Sequence, residues 1–160
     1  MADSAPLHHC SCPCGETRFT LHRAPVMRII CHCTVCQQFN EAPFADVTIL
    51  LAKGVNLPED HQVDFRAYRP PPAVQRGKCK ACDKPAVEFL RLPIYPGLSF
   101  VPTANFTEPS RLPEPCMHLF YEKRVADLPD DLPKHTGYLR SQLAFARHFY
   151  SAMLGGQGRA

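Results

Sequence analysis

Cys31-His32-Cys33-Thr34-Val35-Cys36 is the densest of three cysteine stretches that decide the fold of this chain. The other two are Cys12-Pro13-Cys14 and Cys79-Lys80-Ala81-Cys82. Cysteines separated by one or two residues can hold one metal ion without help from distant parts of the fold, and zinc prefers four thiolates in a tetrahedron. The donors therefore predict two zinc ions, one held by four thiolates and one by three. Such a pair is expected of a structural metal and a reactive metal with a vacant position.

The spacing of these stretches does not decide which of them share a metal ion. The middle stretch could also recruit Cys10, Cys116 or His32, and both sites would then be closed. Neighbouring residues of an extended chain point to opposite faces, so we expect His32 to point away from the metal and to pack against or support the site. We expect Cys10 to be a buried or loosely ordered thiol, or alternatively a spare donor for the first cysteine pair, and Cys116 to be a core thiol.

The number of cysteines bears on the compartment. Nine is an odd number, which argues against a fully paired set of disulfides. Residues 1–6 lack the charged and apolar regions of a signal peptide, so we expect a cytoplasmic protein with reduced thiols. No apolar run approaches the roughly 18 residues that a membrane helix needs, so no membrane association is expected.

The formal net charge of +3 is weak support for nucleic-acid binding. Four thiolates on one zinc ion carry a net charge of minus two, and three carry minus one. Together the two sites would cancel the positive charge of the chain. No nucleic-acid partner is therefore expected.

Short alternating apolar stretches predict a mostly β fold. The 17 prolines among 160 residues exclude a helical bundle, because proline breaks helix interiors. Six prolines from Pro93 to Pro115 predict a loop-rich stretch, and Arg69-Pro70-Pro71-Pro72 predicts a turn. The predicted strands are residues 17–21, 26–31, 44–51, 63–67, 86–92 and 117–121.

One domain is expected at residues 10–137, after a loose lead at 1–9 and before a C-terminal helix and tail at 138–160. The tail predicts a helix because its apolar residues recur at helical spacing and Gly155-Gly156 ends the pattern. The helix is expected to pack on the sheet or, alternatively, to form a homodimer interface. The recurring residues are Leu139, Leu143, Ala146, Phe149 or Tyr150, and Met153.

Several motifs in a fixed order carry a resemblance to a known family. They are residues 12–19 (Cys-Pro-Cys-Gly-Glu-Thr-Arg-Phe), the middle cysteine stretch, Ala42-Pro43-Phe44-Ala45, residues 76–82 (Arg-Gly-Lys-Cys-Lys-Ala-Cys), His118, Arg124 and Asp130-Asp131-Leu132-Pro133. In these motifs, residues 10–137 resemble the glutathione-dependent formaldehyde-activating enzyme family, which shares its domain with centromere protein V. Asp83 replaces the glycine usual after the last ligand, and aspartate tolerates the left-handed turn needed there. Gln37 replaces a common basic residue.

The resemblance implies a compact zinc-stabilised β fold, similar to methionine-R-sulfoxide reductases and the Rab-binding zinc chaperone. It also implies how the ligands are divided between the metal ions. The structural zinc would be held by Cys12, Cys14, Cys79 and Cys82, and the catalytic zinc by Cys31, Cys33 and Cys36.

The resemblance further implies a carbon–sulfur lyase or synthase that acts on adducts between an aldehyde and glutathione or another thiol, as in formaldehyde detoxification. We expect the substrate thiol to bind the three-cysteine zinc as a thiolate, with His32 as a candidate proton relay. Arg76, Lys78 and Lys80 are candidates for binding glutathione carboxylates, or are solvated surface charges.

Two other classes compete with this enzyme. A non-catalytic zinc module that binds protein or chromatin predicts a closed second site. A thiol reductase of the sulfoxide type needs a free reactive cysteine, for which Cys116 is the only candidate. Its setting, Pro115-Cys116-Met117-His118, does not resemble that motif.

Overall fold

The computed structural model describes residues 5–69, 74–93 and 96–155. It confirms a mostly β fold with a C-terminal helix. The described residues contain ten strands, which are β1 (His8–Ser11), β2 (Arg18–Leu21), β3 (Met27–Cys31), β4 (Ala45–Leu51), β5 (Val55–Asn56), β6 (Val63–Arg66), β7 (Val74–Cys79), β8 (Pro85–Leu90), β9 (Leu98–Pro102) and β10 (Pro115–Leu119). The same part of the chain contains two α-helices, α1 (Thr34–Asn40) and α2 (Tyr138–Gly155). None of the described helices is long and apolar enough to cross a membrane.

The strands form two sheets. Strands β1, β2 and β5 form an antiparallel sheet of three strands in that order. The other seven form a sheet in the order β10-β3-β4-β9-β8-β7-β6, in which only the β10–β3 pair is parallel. Strands β3 and β4 pair from Met27↔Ile49 to Cys31↔Ala45, which places the middle cysteine stretch at the end of a central strand.

The centre of the large sheet is buried on both faces. Val47 and Ile49 of β4 pack with Phe149 of α2 in one core cluster. Leu50, the next residue of β4, packs with Phe19 of β2 in a second cluster. Because successive side chains of a strand point to opposite faces, helix α2 covers one face of the large sheet and the small sheet covers the other. Truncating a buried phenylalanine such as Phe149 costs about 3–5 kcal/mol.

The face that helix α2 buries agrees only in part with the one that the apolar spacing predicts. Phe145, Phe149 and Met153 pack against the large sheet, and Ser141 is buried with them. Leu139 and Leu143 are instead exposed. The spacing therefore identified Phe149 and Met153 correctly but not Leu139 and Leu143, because the stretch has more apolar residues than one buried face can use.

Several other elements differ from the sequence-based expectations. Strand β1 begins at His8, inside the segment expected to be a loose lead, and β9 lies within the proline-rich stretch expected to be loop. Strand β7 and helix α1 were not predicted. Residues 70–72 of the predicted turn, and Gly156 at the predicted helix end, lie outside the described residues.

Candidate metal centres

Four thiols from distant parts of the chain meet beside the small sheet. The sulfur atoms of Cys12, Cys14, Cys79 and Cys82 lie within 4.8 Å of one another. The Sγ atoms of Cys12 and Cys14 are 3.3 Å apart, and those of Cys14 and Cys79 are 3.7 Å apart. We call these four residues the four-thiol group.

Two turns of similar design present these thiols. The N–H of Gly15 donates to the carbonyl of Cys12 at 3.0 Å, and the N–H of Asp83 donates to the carbonyl of Cys79 at 2.9 Å. Gly15 has φ +80° and Asp83 has φ +56°, so each pair of cysteines is followed directly by a left-handed residue. The expectation that Asp83 adopts a left-handed turn is confirmed.

The electrostatics of the four-thiol group favour a bound cation. Burial raises the pKa of Cys79, but hydrogen bonds from Thr17 and from nearby backbone N–H groups lower it to about 6. The N–H of Glu16 lowers the pKa of Cys14, but Cys12 and the other thiols raise it to about 12. One thiolate thus disfavours the next, and a divalent cation would hold all four ionised. The donor set fits zinc.

The second set of thiols comes from six consecutive residues. The sulfur atoms of Cys31, Cys33 and Cys36 lie within 4.8 Å of one another, and we call these residues the three-thiol group. Cys31 ends β3, Cys33 caps the N-terminus of α1, and Cys36 lies in the first turn of that helix. The N–H of Cys36 donates to the Sγ of Cys33 at 3.2 Å. The end of a strand and the start of a helix therefore bring the three sulfurs together locally.

A buried ion pair lies beside the three-thiol group. Hydrogen bonds from Cys31 and Cys36 lower the pKa of Cys33 to about 3, and the positive charge of Arg76 adds to this effect. Arg76 pairs with Glu88 on the neighbouring strand, and its guanidinium carbon is 5.6 Å from the ring centre of Phe39. Burial raises the pKa of Glu88 to about 7, against the opposing effect of Arg76. Arg76 thus balances charge among the thiols.

His32 lies outside both groups of thiols and belongs to a chain of hydrogen bonds. Its Nε2 is 2.9 Å from Nδ1 of His118, and Nε2 of His118 is 2.9 Å from Oδ2 of Asp130. If Asp130 accepts from His118, then Nδ1 of His118 accepts from His32, and Nδ1 of His32 is left as an acceptor. That buried atom has no hydrogen-bond partner among the described residues. Burial lowers the pKa of His32, consistent with a neutral ring.

The remaining candidates lie elsewhere. Cys10 is buried in the core cluster beside the small sheet, and burial raises its pKa to about 12. Cys116 is half-buried against the other core cluster, and burial also raises its pKa. Neither thiol, nor His32, joins the three-thiol group. The Nζ of Lys78 lies 3.9 Å from Oε1 of Glu41 and 3.8 Å from Oδ2 of Asp83. Lys80 is exposed.

A cavity of about 390 Å³ opens beside the three-thiol group and is lined by all three of its cysteines. Arg69 and Arg76 also line it, and so do aromatic residues of α2. Arg69 is exposed and forms no ion pair with the described residues, so its charge is available at this cavity. A larger cavity of about 490 Å³, on the small sheet, is lined by none of the seven clustered cysteines.

Sequence reasoning missed Arg69 and the residues of α2 at this cavity. Arg69 precedes a run of prolines and carries no motif, so nothing in the sequence connects it with the cysteines. The residues of α2 are brought to the cavity by the packing of the helix on the large sheet. The regular apolar spacing of the tail predicted that packing, but it did not predict the contact with the site.

Comparison with known protein families gives a match. A family model described as glutathione-dependent formaldehyde-activating enzyme matches residues 7–123, which is most of the chain. Comparison with curated proteins gave no match. The matched residues include both groups of thiols and all ten strands, whereas α2 lies beyond them.

Proposed function

This chain belongs to the glutathione-dependent formaldehyde-activating enzyme family, and we propose that it makes or breaks the carbon–sulfur bond between a thiol and an aldehyde. Glutathione is the thiol that the family suggests. In the forward direction the thiolate sulfur adds to the carbonyl carbon, and a proton goes to the carbonyl oxygen. The reverse reaction releases the aldehyde and the thiol. The observation that carries this proposal is the three-thiol group on the wall of a cavity that admits a small molecule.

The two groups of thiols are assigned different roles in this proposal. The four-thiol group has enough donors to complete a tetrahedral zinc site, and we assign it the structural zinc. The three-thiol group lacks one donor and faces a cavity, and we assign it the catalytic zinc, which would leave a position open to a substrate sulfur. Zinc bound there would supply positive charge that lowers the pKa of the substrate thiol.

The chain's own residues would prepare this site for an anionic sulfur. Arg76 lies beside Cys33 and Cys36, and Glu88 holds it in place, so part of the thiolate charge is neutralised before substrate binds. Arg69 is the better candidate for a glutathione carboxylate, because Arg76 already has a partner. Gln37 donates to the carbonyls of His32 at 2.7 Å and Lys123 at 2.8 Å, which holds the chain on both sides of the site.

The test measures both metal content and exchange. Elemental analysis of the purified chain should give two zinc ions per molecule. Exchange between glutathione and formaldehyde, followed by NMR, should be faster with the wild-type protein than with Cys33→Ser. The matched control is Cys116→Ser, which should behave as wild type because Cys116 lies outside both groups. Equal exchange with the wild type and Cys33→Ser would contradict the proposal and favour a non-catalytic zinc module.

We further propose that the exposed apolar face of α2 pairs with a second copy of the chain. The face consists of Leu139 (68% exposed), Leu143 (60%), Tyr150 (44%) and Leu154 (76%). The spacing is symmetric about the helix centre, so antiparallel pairing about a two-fold axis sets Leu139 against Leu154 and Leu143 against Tyr150. In sedimentation, Leu143→Glu should give monomers while His148→Glu should stay dimeric. Monomeric wild-type protein would contradict this pairing.

A further inference from the structure

The cavity beside the three-thiol group has an aromatic wall, part of which lies beyond the residues that the family model matches. The wall contains Phe100 of β9, Phe120 directly after β10, and Tyr138 and Phe145 of α2. Leu90 and Leu119 extend it. The cavity of about 390 Å³ is within the range of pockets that bind small molecules.

Helix α2 supplies part of this wall although it lies beyond residue 123, where the family match ends. Ser141 holds the start of the helix, because its buried Oγ accepts from the N–H of Phe120 at 3.0 Å. The N–H of Ser141 donates to the carbonyl of Gly137 at 3.1 Å. The helix is therefore attached directly to a residue of the cavity wall.

Ring contacts fix the aromatic side chains in place. The ring centres of Phe145 and Phe100 are 6.3 Å apart, and those of Phe120 and Tyr138 are 6.2 Å apart. Phe145 also stacks on Phe149, at 6.2 Å and an interplanar angle of 4°. Phe149 is buried in the core, so Phe145 rests on a rigid support.

The chemistry of this wall does not match the smallest substrate of the proposed reaction. A hydroxymethyl group brings a single carbon, and glutathione itself is an ion with carboxylates, an ammonium group and peptide groups. Neither offers enough apolar surface to cover three phenylalanines, and apolar pocket surface favours apolar ligand groups.

We propose that the substrate carbon bonded to sulfur carries an apolar chain or ring of several carbons, and that α2 selects it. This inference rests on the proposed function and specifies the aldehyde class. The apolar group would pack on Phe100, Phe120 and Phe145. Gln142 is exposed and lines the cavity one helical turn after Tyr138. It would limit the size of the apolar group at the rim of the cavity. Arg69 would bind a carboxylate of the thiol portion.

A binding experiment tests the wall without turnover. S-methylglutathione and S-hexylglutathione are thioethers that cannot react, and their affinities for the zinc-loaded full-length protein can be compared by calorimetry. We expect the hexyl compound to bind about tenfold more tightly or better, because several additional methylene groups are buried. In Phe145→Trp, which fills the cavity, the ratio should fall to within about twofold.

Two further variants make the result specific. Gln142→Trp places a large side chain at the rim of the same cavity, in an exposed position. It should therefore lower the ratio of the two affinities even if Phe145→Trp disturbs the core. Arg147→Trp is the matched control on another face of α2 and should keep the wild-type ratio. Equal affinity for the two compounds in the wild type, or a ratio that survives both Phe145→Trp and Gln142→Trp, would overturn the inference.

Exchange measurements separate this inference from the proposed function. With glutathione and hexanal, the wild-type protein should show kcat/KM about tenfold above that with formaldehyde, and in Phe145→Trp the two values should come within about twofold of each other. No exchange with either aldehyde would count against the proposed function. In that case, tighter binding of the hexyl compound that both tryptophan variants abolish would still show that the aromatic wall selects an apolar group. Exchange with no preference for hexanal would overturn the inference alone.

Discussion

The two groups of thiols are made of the same residue type but are built in opposite ways. The four-thiol group joins Cys12 and Cys14 to Cys79 and Cys82, and one of its sulfur contacts spans 65 residues of sequence. The three-thiol group is contained in six residues. Linking distant segments restricts the unfolded chain much more than linking near neighbours does. The first group can therefore stabilise the fold, whereas the second depends on the fold for its setting.

The surroundings of the two groups also favour a structural role for the four-thiol group and a reactive role for the three-thiol group. The four-thiol group connects the turn before β2 with the turn between β7 and β8, so it fastens the small sheet to the large one. The three-thiol group lies at the end of a central strand and faces a cavity. A metal ion in the four-thiol group would mainly stabilise the fold, and one in the three-thiol group would mainly serve the reaction.

Metal removal is expected to have the largest effect. A structural zinc contributes about 10–16 kcal/mol in small zinc domains, which is comparable to the whole stability of a domain, about 5–15 kcal/mol. A strong chelator should remove the metal of the three-thiol group first, with loss of exchange activity and little change in circular dichroism. Removal of the second metal should unfold the chain. Loss of both metals in one phase together with the fold would contradict the division of roles.

Cys79→Ser should have the next largest effect. It removes a buried donor from the four-thiol group, and we expect the free energy of unfolding to fall by more than about 4 kcal/mol. For a domain of this size that corresponds to a drop in Tm of more than about 8 °C. Thermal unfolding followed by circular dichroism measures it. Cys116→Ser is the control, and an equal drop in both variants would argue against a special role for Cys79.

Cys33→Ser should give the reverse pattern. It removes a donor from the three-thiol group, and we expect kcat/KM for exchange to fall by about 100-fold or more, or about 2.7 kcal/mol of barrier. The Tm should change by less than about 5 °C, because no distant segments are released. A large drop in Tm with little loss of exchange would invert the comparison between the two groups.

The same comparison shows what the sequence could predict. The seven thiols of the two groups were identified from their spacing, because C-x-C and C-x-x-C are local signals. Their division between two sites followed only from the family resemblance, since Cys12 and Cys79 meet through the packing of two sheets. His32 was expected to point away from the metal, and its ring contacts His118, which is 86 residues away in the sequence. The sequence alone does not predict that contact.

Strand β7 shows why some elements were missed. Its residues include Gln75, Arg76, Gly77 and Lys78, which lack the apolar alternation of a strand. Arg76 is stabilised there by Glu88 directly across the strand pair. A Cβ at Gly77 would lie 2.6 Å from Val63 and 2.7 Å from the carbonyl oxygen of Val87, so glycine is required by close approach. The ion pair and the close packing both depend on the tertiary structure, so the local sequence does not predict this strand.

The smallest expected effect concerns Asp130, which ends the hydrogen-bond chain from His32 through His118. A hydrogen bond from Lys134, with a further contribution from His118, lowers the pKa of Asp130 from 3.8 to about 2. A carboxyl with a lowered pKa stabilises the fold where it is ionised, so its contribution is present above pH about 4 and is lost as the pH falls towards 2.

Asp130→Asn removes that ionised carboxyl but keeps the size of the side chain. We expect a lower Tm than the wild type at pH 7, with a gap that narrows once the pH falls below about 4, as measured by calorimetry across the acid range. Asp131→Asn is the matched control, because Asp131 is the exposed neighbour and forms no ion pair with the described residues. Exchange activity in Asp130→Asn should fall by much less than in Cys33→Ser, because Asp130 positions the segment from Cys31 to Cys33 through His118 and His32 and contacts none of the thiols. A gap in Tm that stays constant with pH would show that the charge of Asp130 is not what holds this chain of hydrogen bonds to the three-thiol group.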